Sequence, residues 1–155
     1  MKKIDSLNQV AEFHRTFNAP ILETPQIPSK ERCELRVSLL QEELNELKQA
    51  IEDNDLVEIA DALCDLQYVL SGAVLEFGLG EKFVELFNEV QRSNMSKACD
   101  TELQAQETVE NYKAKGEEAF YEKSGNKFNV HRISDNKVLK NKYYSAADLK
   151  SIIEK

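Results

Sequence analysis

Hydrophobic residues recur every three or four positions through the first two thirds of the chain, which predicts amphipathic helices. The spacing and the capping signals predict five helices, over residues 6–18, 29 to about 52, the turn at 53–55 to about 77, 81–97 and 102–115. Ser6, Ser29 and Thr101 are the expected N-caps. A loop with three prolines separates the first two helices.

The last third changes character, because aromatic and β-branched residues replace the helical period. Residues 119–123 and 127–133 flank Ser124-Gly125-Asn126, which predicts a hairpin. Ser145 is the expected cap of a last helix, 146–154. The predicted fold is therefore mainly α, a four-to-five-helix bundle with a small C-terminal β-hairpin and a short terminal helix. We expect a helical domain at 1–116 and, packed on it, an appendage at 117–155.

The net negative charge of the chain is concentrated in one segment. The chain has 155 residues and a net charge of −8, and residues 31–65 carry eleven acids and three bases, which accounts for all of it. The acidity of one segment therefore needs an explanation. An acidic surface argues against binding nucleic acid polymers or anionic membranes through bulk charge.

Acids occupy unexpected places on the second helix. On a helical wheel Glu43 lies in the middle of the apolar stripe, with Leu39, Leu40, Leu47, Ala50 and Ile51 within ~80° of it on either side. Glu46 lies about 60° away on the same face, and Glu42 lies at the edge of the stripe. Amphipathic helices normally place acids opposite the stripe, so Glu43 and Glu46 are expected to face inward.

The third helix repeats the anomaly. It is apolar almost all round, which is typical of a buried helix, and Cys64 is expected in the core. Yet Glu58, Asp61 and Asp65 lie within ~60° of one another, at a spacing that stacks side chains along one ridge. Asp65 is equally compatible with a buried acid hydrogen-bonded to a neighbour.

Carboxylates held near a core repel one another and lose hydration, and a divalent cation offsets both effects. Hard cations prefer oxygen ligands, so the pattern favours a magnesium-type site. A di-iron carboxylate bundle would need Glu-x-x-His pairs. The two histidines do not supply them: His14 is expected on the surface and His131 in the hairpin.

A second set of polar residues follows the fourth helix. Asn94 continues the stripe of Phe83, Phe87 and Val90, and Lys97 is three residues further on. The pair is therefore expected to emerge on the inward side and to hold phosphate oxygens. A lysine that caps the helix C-terminus explains Lys97 equally well.

These residues together resemble a known family. The EExxE pattern at 42–46 and the ExxD pattern at 58–61 resemble those of the all-α nucleoside triphosphate pyrophosphohydrolases, a superfamily that includes the MazG proteins. Three further stretches are similar to the phosphoribosyl-ATP pyrophosphohydrolase-like branch. They are DALCDLQYVLSGAVLEFGL, the segment FNEVQRSNMSK and the tail DNKVLKNKYYSAADL. The resemblance covers roughly residues 5–150.

The resemblance implies a hydrolase that cleaves an NTP or dNTP to the monophosphate and pyrophosphate. It implies Mg²⁺, with Mn²⁺ as a substitute, held by Glu43, Glu46, Glu58 and Asp61. Glu43 or Glu46 would activate water, Asp65 and Glu42 would support the ligands, and Asn94 and Lys97 would contact the substrate. The assembly it implies is a homodimer or homotetramer.

Two alternatives remain open at this stage. One is a non-catalytic acidic helical module that docks a basic partner, and the other is a nucleotide-binding relative without turnover. An acidic docking module should expose its acids, whereas the wheel predicts that they face inward. The first thirteen residues lack the apolar run of a secretory signal, and no apolar stretch approaches the ~20 residues of a membrane helix. Cysteine usage shows no disulfide framework, so we expect the cytoplasm.

Overall fold

A computed structural model describes residues 4–155 and divides the chain into two compact units, Met1–Phe83 and Val84–Lys155. It is mainly helical with a small two-stranded hairpin and a short terminal helix, which confirms the predicted fold class. The predicted helical domain, 1–116, includes residues 1–3, which lie outside the described residues. Its boundary with the appendage stays a prediction.

The first unit is built on a helical hairpin. Its elements are α1 (Ser6–Thr16), α2 (Lys30–Glu52), α3 (Leu56–Glu76) and a short 3₁₀ turn (Gly80–Lys82). Helices α2 and α3 pack against each other, and α1 packs on α3. Two predicted turn signals are confirmed, since Ser29 caps α2 and the Asp55 carboxylate accepts the backbone N–H groups of Val57 and Glu58 at the start of α3.

The C-terminal end of α3 is fixed by the proline-containing loop. Leu22 donates its backbone N–H to the carbonyl oxygen of Leu75, at 3.0 Å. Gly78 follows α3 with φ of +67°, and a Cβ built there would lie 1.9 Å from the carbonyl oxygen of Thr24. Only glycine fits this close approach with a left-handed backbone, so the predicted end of this helix near residue 77 has a tertiary reason as well as a local one.

The second unit surrounds a small apolar cluster with helices and the hairpin. Its elements are α4 (Phe83–Met95, whose first residue closes the first unit), α5 (Glu102–Lys113), β1 (Ala119–Ser124), β2 (Lys127–Arg132) and α6 (Leu149–Ile153). The strands are antiparallel, and both pack against α5. The cluster consists of Cys99, Ala105, Val130 and Leu139. It gives the hairpin a buried face, without which two strands are only marginally stable.

Two predicted N-caps are wrong, and α1, α4 and α5 each end two residues earlier than predicted, at Thr16, Met95 and Lys113. α1 begins at the predicted Ser6, but its N-cap is Asp5. The terminal helix begins three residues later than predicted, and its cap is Asp148, which accepts the backbone N–H of Ser151. Ser145 does not cap it, because this serine is bonded to Ser96 and Arg92 of the preceding elements.

Three expectations about burial are wrong. His14 is 3% exposed rather than on the surface, since its Nδ1 lies 2.8 Å from the carbonyl oxygen of Pro20. Cys64 is exposed rather than in the core. Helix α3 is not buried all round, because the packing of α1 and α2 covers only part of it: Leu56 and Val57 are 77% and 75% exposed.

No single helix among residues 4–155 is long and apolar enough to cross a membrane. Only the bent pair Leu56–Glu76 and Gly80–Met95 reaches that length and composition together.

Candidate functional site

Glu43 lies where the charges of the helical hairpin converge. Glu43 as a whole is half-buried, and its Oε2 atom is buried with no hydrogen-bonding partner among the described residues. Burial raises the pKa of this carboxyl, and the negative charges of its neighbours raise it further. Those neighbours, from both α2 and α3, are Glu46, Asp65, Glu42 and Asp61. Four of the other five predicted acids therefore act on Glu43, and Glu58 is not among them.

The other acids are more accessible than predicted. Glu46, Glu58, Asp61 and Asp65 are all exposed, so the expectation that they face a buried interior is wrong for the single chain. The physical reason is that the adjoining apolar positions are themselves uncovered, as Leu63 of α3 illustrates at 52% exposure. Glu42, expected at the edge of the stripe, is also exposed.

The described residues hold no ready-made metal cluster. Within residues 4–155, no group of three or more His, Cys, Asp or Glu side chains is arranged to hold an ion. The donor chemistry nevertheless fits a hard cation, because the converging ligands are all carboxylate oxygens and the buried Oε2 of Glu43 lacks a partner. A cation near Glu43 would relieve both its desolvation and its repulsion by neighbouring acids.

A buried ion cluster at the other end of α3 escaped prediction. Glu76 is 1% exposed and accepts hydrogen bonds from Arg32, whose Nε lies at 2.9 Å, and from Arg36. A Cβ at Gly72 would lie 2.7 Å from Arg36 Nη1, so this glycine makes room for the guanidinium. The sequence contains one sign of this cluster, which is the single acid in the apolar run GAVLEFGL. Its two arginine partners lie far away in the sequence, so no local pattern pairs them with it.

The same unit has a cleft of about 780 Å³ between α1, the following loop and the end of α3. Buried His14 contributes to its lining, as do Arg15, Glu23 and Glu81. None of the predicted metal ligands lines it. The acidic hairpin and this cleft are therefore separate features of the first unit.

Asn94 and Lys97 belong to the second unit and contact each other. The Lys97 ammonium donates to Asn94 Oδ1 at 2.8 Å, so the predicted pair exists. Asn94 is exposed rather than inward, because the buried side of this part of α4 is taken by Ser93. The last helical residue is Met95, and Lys97 lies beyond it.

Comparison with known proteins identifies the relatives of this chain. A family model described as phosphoribosyl-ATP pyrophosphohydrolase matches residues 10–94, more than half of the chain. The match contains every predicted carboxylate ligand and ends at Asn94. The chain is also 23% identical to the uncharacterized protein L479 of Acanthamoeba polyphaga mimivirus, with 99% of this chain and 97% of that protein covered.

Proposed function

Since the chain belongs to the phosphoribosyl-ATP pyrophosphohydrolase family, whose members are hydrolases acting on pyrophosphate bonds of nucleotide-like substrates, we propose that it is a Mg²⁺-dependent nucleoside triphosphate pyrophosphohydrolase. Its substrate is an NTP or dNTP, and its products are the nucleoside monophosphate and pyrophosphate. The family supports the class of bond cleaved. The choice of a triphosphate rests on the resemblance carried by the EExxE and ExxD patterns, and the choice of Mg²⁺ rests on that resemblance and on the carboxylates around Glu43.

The observation that carries this proposal is the state of Glu43. A half-buried carboxylate with a partnerless buried oxygen and four acidic neighbours is unfavourable by itself. A triphosphate is also anionic, so the acids can meet it only with cations present. A bound divalent ion would offset both the unfavourable state of Glu43 and the repulsion between the acids and the triphosphate.

In this proposal Glu43, Glu46, Glu58 and Asp61 would hold Mg²⁺, which would neutralise phosphate charge and lower the pKa of water. The water oxygen attacks phosphorus, the bond to the bridging oxygen breaks, and pyrophosphate departs. Glu43 or Glu46 accepts the proton of the water. Asp65 and Glu42 orient these carboxylates, and Asn94 with Lys97 contacts the substrate.

The exposure of Glu46, Glu58 and Asp61 favours a second candidate, a non-catalytic module whose acidic face docks a basic partner. Its affinity would come from surface charge and would fall steeply with ionic strength. The unpartnered oxygen of Glu43 favours the enzyme, because a docking face has no need of a half-buried carboxylate with one buried, unpaired oxygen.

We expect Mg²⁺-dependent release of pyrophosphate from at least one member of a panel of ribo-, deoxyribo- and modified nucleoside triphosphates. The products distinguish the reaction class, since monophosphate with pyrophosphate indicates the proposed cleavage and diphosphate with phosphate contradicts it. Binding without turnover would identify a non-catalytic relative. Neither binding nor turnover, together with salt-sensitive capture of a polylysine peptide, would favour the docking module.

We also propose that the chain assembles as a homodimer or homotetramer. Leu56, Val57, Leu63 and Leu70 of α3 are all more than two fifths exposed, which is unusual for a helix of this hydrophobicity. Sedimentation equilibrium is expected to give a mass at least twice the 17.7 kDa of the chain. Leu63→Glu should shift that mass towards the monomer, whereas Leu103→Glu should not, although Leu103 of α5 is also more than half exposed. A monomeric wild type would contradict the proposal.

A further inference from the structure

The C-terminal tail runs back along α4 from the end of that helix towards its start. Asn141 donates its backbone N–H to the carbonyl oxygen of Lys97, at 3.2 Å. Asp148 donates its backbone N–H to Glu89 Oε1 at 2.9 Å, and the Lys155 ammonium reaches Glu85 at 3.0 Å. We name residues 141–148 the tail strap. It places successive residues of the tail beside successively earlier turns of α4.

Arg92 fastens the tail strap to α4 through its guanidinium. Its guanidinium binds both carboxylate oxygens of Glu89, at 2.8 Å each. Its remaining donors reach Ser145 Oγ and the carbonyl oxygen of Ala146, both at 3.0 Å. A planar fork with fixed donors can join a helix and a strap in this way, whereas a lysine ammonium cannot reproduce the geometry.

Two serines complete the fastening. Ser93 is buried, and its hydroxyl lies 2.8 Å from the Tyr144 hydroxyl. Ser96 accepts the backbone N–H of Ser145 at 3.0 Å. The segment 92–97 therefore divides its side chains: Arg92, Ser93 and Ser96 bind the strap, while Asn94 and Lys97 bind each other.

The strap is one of the anchors of the turn at Lys97, which follows the end of α4 at Met95. The Lys97 backbone N–H donates to the carbonyl oxygen of Asn94, at 3.2 Å, and the Lys97 carbonyl oxygen accepts the backbone N–H of Asn141 from the strap. Two residues further on, Cys99 exchanges backbone hydrogen bonds with Phe128 of β2. The strap contacts both the last helical turns, at Arg92 and Ser93, and the backbone of Lys97.

We propose that Arg92 is a positioning residue for the substrate: by fastening the tail strap along α4 it preorganises the Asn94–Lys97 pair. The inference rests on the proposed function, in which this pair contacts the nucleotide. Without the fastener the pair must be ordered during binding, and that loss of entropy weakens binding. Because the acidic residues of α2 and α3 are untouched, the chemical step should proceed at its normal rate once the substrate is bound.

The test compares four variants of the full chain on the substrate that the wild type turns over. Arg92→Ala should raise KM about tenfold, which corresponds to ~1.4 kcal/mol, and should leave kcat within about twofold. Arg92→Lys should raise KM nearly as much, because it keeps the charge and loses the fork. Tyr144→Phe removes only the hydroxyl that meets Ser93, and should raise KM severalfold. Arg132→Ala is the matched control, since this arginine forms ion pairs with Glu117 and Asp135 in the same unit and does not contact the strap.

Each outcome has one meaning. An unchanged KM in Arg92→Ala and Tyr144→Phe overturns the inference while leaving the proposed function intact. Full rescue by Arg92→Lys also overturns it, because the role would then be direct attraction of phosphate by charge. An equal rise of KM in Arg132→Ala overturns it in favour of a general loss of stability. A wild type that turns over no nucleotide overturns the proposed function, and the inference with it. If Arg92→Ala does not fold, Tyr144→Phe decides.

Discussion

Replacing Glu43 with glutamine is expected to slow pyrophosphate release by about 10²–10⁴-fold, the range for loss of a positioned acid–base group. The same variant should be more stable than the wild type in metal-free buffer at neutral pH. Glutamine keeps the size of the side chain and removes the charge that burial and four acidic neighbours make unfavourable.

The pH dependence of this stabilisation follows from the sign of the shift. The folded state raises the pKa of Glu43, so it binds this proton more tightly than the unfolded state does. The ionised Glu43 therefore destabilises the wild-type protein above the folded pKa. This destabilisation disappears as the pH falls to the pKa that Glu43 has in the unfolded state. The advantage of Glu43→Gln should be present at pH 7 and should vanish on acidification to about pH 4.

Magnesium provides the second check on Glu43. Thermal unfolding with and without Mg²⁺ should show a larger rise of Tm for the wild type than for Glu43→Gln, because ligand binding to the native state raises stability. Glu34→Gln is the control, since Glu34 is an exposed acid of the same helix. It should change neither turnover nor the response to Mg²⁺. Wild-type turnover in Glu43→Gln would show that the proposed site is wrong.

Glu76→Gln is expected to lower the free energy of unfolding by about 3–5 kcal/mol, as removal of one partner from a buried ion cluster does. Burial pushes the pKa of Glu76 up, but hydrogen bonds from Arg32 and Arg36 outweigh it and hold the pKa below its ordinary value. A lowered folded pKa stabilises the protein above the unfolded pKa of about 4.5 and ceases to do so as the pH falls through the folded value.

Urea denaturation at pH 7 and at pH 3 measures this effect. The difference between the wild type and Glu76→Gln should be largest at pH 7 and should shrink in acid. Glu34→Gln again provides the contrast, because it breaks an exposed pair with Lys30 (3.5 Å) that is worth at most about 1 kcal/mol. Equal losses in the two variants would contradict the assignment of Glu76 as the centre of a buried cluster.

Local signals in the sequence predicted the elements well. Ser29 and Asp55 mark helix starts through hydrogen bonds to residues two or three positions away. Gly78 follows α3 with a left-handed backbone that glycine favours. The hairpin followed from Ser124-Gly125-Asn126 in the same way. The terminal helix was placed less well, since the hydroxyl of Ser145 was already engaged by a residue 53 positions earlier, which no local pattern reveals.

The candidate site was predicted in its chemistry and less well in its burial. The wheel located Glu43 correctly, because the environment of this side chain is formed by α2 and α3 of the same chain. It failed for Glu46, Glu58 and Asp61, since a wheel reports which face a residue shares and not whether anything covers that face. The Glu76 cluster was missed because its arginines lie 40 and 44 residues away.

The double use of the segment 92–97 limits how this stretch of chain can evolve. Side chains bound to the strap alternate with the Asn94–Lys97 pair. A single-residue insertion in the last turn of α4 would rotate the helical residues after it by about 100° around the helix axis and shift the turn that follows, and would misalign the strap or the pair. A single replacement removes one set of these contacts, whereas a change of length displaces several of them together. Among homologues, this stretch should therefore be free of insertions and deletions even where its residues differ.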